Sequence, residues 1–195
     1  NHVSTYISGP VNSLVEGEEE LTLPLEISLN PEAKTAELEV SGQTVHLKEK
    51  EFSEWVRLTF RPGLGMKIRS ICRFYISEIS PQFKMYCTPL NIDPEKPALP
   101  ISHPFIFSVY LSKLFGPFTT LGEADDTWAL NEGILDEDAF IQSAYETNDE
   151  TEKMLTNAVK KNRKGVVACW FQLTDSLQHM FFRYVDKNLP ALKHG

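Results

Sequence analysis

Asp175 and His179 stand four residues apart in Thr174-Asp175-Ser176-Leu177-Gln178-His179, directly after the unbroken apolar run Val166-Val167-Ala168-Cys169-Trp170-Phe171. On a helix that spacing puts both side chains on one face. A hard carboxylate oxygen beside a neutral imidazole nitrogen is a donor pair that suits zinc. The apolar run reads as a strand buried on both faces, as in a parallel sheet covered by helices. Open α/β sheets place ligands and metals just past the carboxyl end of such a strand. Two donors do not fill a zinc shell, which takes three or four protein ligands, so the remainder must come from elsewhere. A plainer reading stands beside this one: Asp175 as an N-cap with Gln178 completing a capping box, and His179 as a half-buried histidine packed among Met180, Phe181 and Phe182.

Other reactive side chains give weaker signals. His2, His46, His103 and His194 have no partner at metal spacing, and Ser102-His103 before Pro104 reads as a helix start. Asp125 and Asp126, in the loop with Gly122 and Glu123, are candidate ligands, although an exposed acidic loop is the commoner meaning of such a run. No G-x-S-x-G, Walker loop or G-x-G-x-x-G occurs, and Gly63-Leu64-Gly65 lacks the third glycine. Cys72, Cys87 and Cys169 form no CxxC or zinc-finger spacing; an odd count without a framework fits a reducing, cytoplasmic setting.

Of the 195 residues, 42% are hydrophobic and 24% charged, an ordinary globular composition able to build a core without disulfides. The net charge of -8 excludes the basic footprint of a general nucleic-acid binder. It does not exclude a small phosphate ester approaching a metal, where the ion's own field dominates. No apolar run reaches membrane-span length and no signal peptide opens the chain. A sequence starting Asn1-His2-Val3, with its first methionine at Met66, reads as a piece of a longer protein.

The elements that would position these groups fall into an α+β order. Residues 1–92 read as an antiparallel β-rich module. Leu21, Leu23, Leu25, Ile27 and Leu29 alternate with polar residues, and Pro24 among them points to an edge or a bulge. Ser41-Gly42 joins Ala36–Val40 to Thr44–Leu47 as a hairpin. Trp55–Phe60 is a further strand, and Met66–Ile79 with Phe83–Pro89 forms a long hairpin turning at Ser80-Pro81, which sets Cys72 and Cys87 on opposite arms. This arrangement predicts a small sandwich or a curled sheet. Residues 93–104, with Pro94, Pro97, Pro100 and Pro104, read as a stiff connector.

Residues 105–195 read as mainly helical. One helix ends at Phe115 before Gly116-Pro117. A long one runs from Asp136 to about Arg163, acidic in its first turn, basic in its last and stopped by Gly165. Phe140, Ile141, Ala144, Tyr145, Met154, Leu155, Ala158 and Val159 share one face of it. The buried strand at Val166 follows, a single strand of an α/β core whose neighbours this chain does not supply.

Thr174-Asp175-Ser176-Leu177-Gln178-His179-Met180-Phe181 resembles the TD-x-x-QH segment of type I phosphodiesterase/nucleotide pyrophosphatase proteins of the alkaline-phosphatase-like superfamily. Asn91-Ile92-Asp93-Pro94 through Ile101-Ser102-His103-Pro104 to Thr127-Trp128-Ala129-Leu130-Asn131-Glu132 resembles the predicted-phosphodiesterase branch of that family. The resemblance implies that Asp175 and His179 ligate one catalytic divalent metal, zinc or alternatively manganese, in a two-metal site that acts on a small phosphate ester. It also implies that Thr174 or Gln178 orients the ligands, that the β-rich module is an accessory insertion, and that other parts of the parent chain complete the sheet. The family's Thr or Ser nucleophile, its first aspartate ligand, and its later Asp-His pair and final His have no counterpart here. The chain by itself is therefore expected to be catalytically incomplete. The rival expectation is a β-rich binding module with a structural Asp175/His179 pair, for which Trp55 or Tyr75 exposed beside a groove would speak.

Overall fold

A computed structural model describes residues 1–12, 20–122 and 124–185. His194 and Glu123 lie outside the described residues. The chain is α+β and divides into two compact units, Asn1–Leu121 and Gly122–Gly195.

The first unit begins with β1 (His2–Val11), β2 (Glu20–Asn30), β3 (Thr35–Val40) and β4 (Gln43–Lys48), which pair antiparallel in that order. β1 escaped the sequence reading because its pattern, with Thr5, Tyr6 and Ser8, exposes most of its side chains. Pro24 sits in an internal strand yet keeps the logic of an edge. Pairing with β3 starts only at Leu25↔Val40, so the missing N–H interrupts nothing there. The β3–β4 hairpin turns through Ser41 at φ 51° and Gly42 at φ 76°, both left-handed, as the right-handed strand twist requires of a two-residue loop.

β5 (Val56–Phe60), β6 (Ile68–Cys72) and the short β9 (Asn91–Ile92) form a second sheet, and β7 (Phe74–Glu78) and β8 (Lys84–Cys87) a third. The arm expected to be continuous from Met66 to Ile79 thus breaks at Arg73. The backbone there exchanges hydrogen bonds with Thr88, and the guanidinium donates from Nε to Ser53 O at 2.8 Å. Ile71 and Tyr75 are buried as well as Ser70, Cys72, Phe74 and Ile76, with which they alternate, so this stretch is covered on both faces. Leu25, Ile27, Leu38, Leu58, Phe60, Phe74 and Ile76 from all three sheets pool into one core.

The Pro-rich stretch does not end the unit. Asp93 and Pro94 are fully buried. The buried Asn91 side-chain oxygen accepts from the backbone N–H of Thr120 at 2.7 Å and of Leu121 at 3.2 Å. Helix α1 (Ile106–Phe115) lies between them in sequence and ends at Gly116, whose φ of 89° suits glycine. It begins after Pro104, and Ser102 Oγ, upstream of the Phe105 N-cap position, accepts from the first-turn Ser108 N–H at 2.9 Å.

The second unit holds α2 (Thr127–Asn131), α3 (Glu137–Lys161), α4 (Leu173–Phe181) and a 3-10 turn at Phe182–Tyr184. Asp136 caps α3 by accepting from Ala139 N–H at 2.9 Å. The helix ends two residues before the expected Arg163: Asn162 turns extended, and Gly165, at φ 98°, belongs to the turn beyond. Of the α3 apolar face, Phe140 and Ala144 are buried, while Tyr145 and Val159 are exposed.

Val166–Phe171 is not a buried strand. The segment has no regular secondary structure and pairs with no strand among the described residues, and Val166 is 95% and Trp170 69% exposed. The reason is physical: a strand covered on both faces needs sheet neighbours, and the second unit has no strand among its described residues. No helix among the described residues is long and apolar enough to cross a membrane.

Candidate metal-ligand helix

Helix α4 sorts its side chains cleanly. Thr174, Asp175, Gln178 and His179 are exposed, whereas Leu173, Ser176, Leu177 and Met180 turn inward or are half-buried. The expected capping role of Asp175 fails, because the N-cap is Gln172 and Asp175 already lies inside the first turn. His179 is not half-buried among aromatic rings either. Its side chain is 76% exposed and that of Asp175 is 65% exposed, with Nε2 and Oδ1 3.4 Å apart. The carboxylate near the helix start and the imidazole near its end both complement the macrodipole. Two metal-capable donors therefore point at solvent from one stripe. Among the described residues no group of three His, Cys, Asp or Glu side chains gathers to complete a shell. As a donor set, the pair fits half of a zinc or manganese site.

The acidic loop differs from its sequence reading. Asp126 caps α2, its Oδ1 accepting from Ala129 N–H at 2.9 Å. Asp125 is 7% exposed rather than a solvated loop residue, and its Oδ1 has no hydrogen-bond partner among the described residues. Burial raises its carboxyl pKa, and a side-chain hydrogen bond with Ser176 draws it part of the way back. Next to it, Ala124 N–H donates to Gln172 Oε1 at 3.3 Å. Gln172 and Ser176 are themselves four residues apart, a second stripe about 60° around α4 from the Asp175/His179 stripe. That register was legible in the sequence, but only the fold shows what it meets.

Because the folded-state pKa of Asp125 is raised, the folded chain holds a proton that the unfolded chain releases first. The contribution of Asp125 to stability is therefore favourable below the ordinary carboxylate pKa and is lost as pH rises through the raised value. Asp125→Asn removes this titration. The variant is expected to be more stable than wild type at neutral pH, with the difference shrinking toward acid, as read by thermal melts across pH.

The thiols rank by setting. Cys72 is buried and its pKa is raised, first by a hydrogen bond with Cys87 and then by burial. Cys72 ends β6 and Cys87 ends β8, strands of different sheets, and both thiols are free. Cys169 is exposed. A colorimetric thiol reagent is expected to label Cys169 at once, Cys87 slowly and Cys72 only on unfolding. Slow labelling of Cys169 would mean that the apolar run is covered after all.

Trp55 and Tyr75 do not form an exposed aromatic platform. Tyr75 is 2% exposed and packs on Phe52 at 4.7 Å, and the Arg73 guanidinium lies over the rings of Phe52 and Trp55. No family model, curated protein or solved structure matches this chain.

Proposed function

We propose that this chain is part of a metal-dependent phosphodiesterase or nucleotide-pyrophosphatase-like hydrolase, with Asp175 and His179 as ligands of one divalent ion. The observation that carries the reading is the solvent-facing Asp175/His179 pair, which neither caps α4 nor packs in a core. The run Val166–Trp170, exposed throughout, gives it further support. Contiguous apolar surface of this kind marks an interface, and a strand flanked by neighbours from the rest of the parent protein would bury it directly before the ligand helix.

In this reading Asp175 supplies an anionic oxygen and His179 a neutral nitrogen, while Thr174 and Gln178, exposed on the same side, are placed to orient them or to meet substrate. The ion, when bound, supplies Lewis-acid polarisation of a phosphoryl oxygen. The nucleophile and the remaining ligands come from residues outside this chain, and zinc fits the donor pair better than magnesium. The test is hydrolysis of a nitrophenyl phosphodiester by the full-length protein. Activity that is lost on chelation and restored by zinc or manganese is expected; metal-independent activity, or none with metal present, would overturn the reading.

A second reading, a β-rich binding module, draws on one observation. A cleft of about 610 Å³ opens between β1–β2 and β7–β8, lined by Val3, Ile7, Leu25, Phe74, Met85 and Leu90 and, among the described residues, by no charged side chain. Saturable uptake of a neutral apolar dye, blocked by a bulky substitution at the rim residue Tyr6, would favour it.

A further inference from the structure

We infer that the cleft of the β unit takes an extended, uncharged strand of a partner polypeptide, which pairs with β1 on one side and β8 on the other. This rests on the second reading above and names its ligand. The cleft is bounded by backbone as well as by side chains: four consecutive residues of β1, Thr5 to Ser8, line it, so an edge of that strand faces it and not one side-chain face alone. β1 and β8 each end their sheet, and no strand among the described residues pairs with their outer sides.

The register says which backbone groups are on offer. Leu29 N–H donates to Asn1 O at 2.7 Å, and the Asn1 amino group donates to Leu29 O at 3.2 Å. In an antiparallel ladder such bonded pairs alternate with unbonded ones. Val3, Thr5 and Ile7 therefore aim N–H and C=O at β2, while Tyr6 and Ser8 aim theirs away from it. Pro24 fits this register, since it stands opposite Tyr6 in a pair that needs no N–H. Across the cleft, Thr88 N–H donates to Arg73 O at 2.9 Å. Cys87 opposite Phe74 and Met85 opposite Ile76 are then unbonded pairs, and both aim their backbone groups away from β7. Tyr6, Ser8, Met85 and Cys87 all line the cleft. The two edges also run the same way: β1 to β4 alternate in direction, Glu49 directly after β4 bridges Ile76 in parallel, and β8 reverses β7. One strand can therefore lie antiparallel to both. β8 has four residues, so a strand matched to it spans about 13 Å. The chemistry of the occupant follows from charge. β1 carries no Lys, Arg, Asp or Glu, the residues that commonly guard an edge, and no charged side chain lines the cleft among the described residues. Buried Ile7, Leu25 and Phe74 lie against the cleft, so the matching strand is apolar at alternate positions.

The experiment adds a short synthetic peptide of alternating valine and threonine, with a lysine at each end for solubility, to the 195-residue chain. Backbone amide exchange is read at Tyr6, Ser8, Met85 and Cys87, and thiol labelling at Cys87. At saturation the four amides are expected to exchange about tenfold more slowly or better, and labelling of Cys87 to slow with them. The same peptide with proline at its central positions lacks the N–H groups and should bind about tenfold more weakly. Tyr6→Pro should weaken binding of the valine–threonine peptide by about the same factor. It should leave the melting temperature close to wild type, because Tyr6 gives β2 no hydrogen bond. Should Tyr6→Pro fail to fold, Ser8→Pro carries the same comparison. Equal binding of the two peptides would overturn the strand and leave a cleft that takes apolar groups. If a neutral apolar dye enters the cleft but the valine–threonine peptide protects no amide, the inference is wrong and the second reading survives. If neither binds, both fall.

Discussion

Asp175→Ala in the full-length protein is expected to lower phosphodiester hydrolysis by roughly a thousandfold or more, since a catalytic ion contributes several kcal/mol of transition-state stabilisation. His179→Ala should do the same. Neither change should cost the fold much. The two side chains are 65% and 76% exposed, and an i, i+4 pair on a helix surface contributes about 0.2–0.5 kcal/mol. This split between activity and stability is what separates a ligand from a helix-stabilising ion pair. The measurement is steady-state hydrolysis alongside thermal melts. A variant that loses stability and activity in proportion would make the pair structural.

Phe60→Ala is expected to destabilise the β unit by about 3–5 kcal/mol, the usual cost of emptying a buried aromatic site. Phe60 is 0% exposed and its ring covers Gly9 of β1 closely enough that a Cβ on Gly9 would lie 2.2 Å from Cε1. Gly9→Ala is therefore expected to cost about 1–3 kcal/mol by overpacking. Because the two sites share one space, the costs should not add. Phe60→Leu with Gly9→Ala should be less destabilised than the sum of the singles, read by urea denaturation. Strict additivity would mean that the ring does not rest on the glycine. This contact joins the four-stranded sheet to the β5-β6-β9 sheet, which makes it a test of the core as well as of one residue.

Legibility of the chain followed how local each determinant is. The alternation of Leu25 and Ile27, the Ser41-Gly42 hairpin and the acidic start of α3 are set by period, turn chemistry and helix-end charge within a few residues, and each stands where the sequence put it, with Asp136 as the cap and not in the first turn. The break at Arg73 was not legible because it depends on Ser53 and Thr88, far off in sequence. The same holds for the close of the first unit, where Asn91 reaches forward to Thr120 and Leu121. Val166–Phe171 shows the opposite failure. Its pattern encodes a buried strand, yet a strand forms only where there are neighbours to pair with. The candidate site divides the same way. The spacing of Asp175 and His179 was readable as one helical face, whereas the burial of Asp125 depends on tertiary packing that local spacing does not carry.

The claim that Asp175 and His179 are metal ligands is tested most directly by titrating the 195-residue chain with zinc while following the His179 ring resonances at a pH where the imidazole is neutral. The account predicts a saturable shift at His179 that is abolished in Asp175→Ala and absent from His46, an exposed histidine facing Glu37 at 3.2 Å on the β unit. An unmoved His179, or equal shifts at His179 and His46 that persist in Asp175→Ala, would contradict it and leave the pair as an ordinary surface contact.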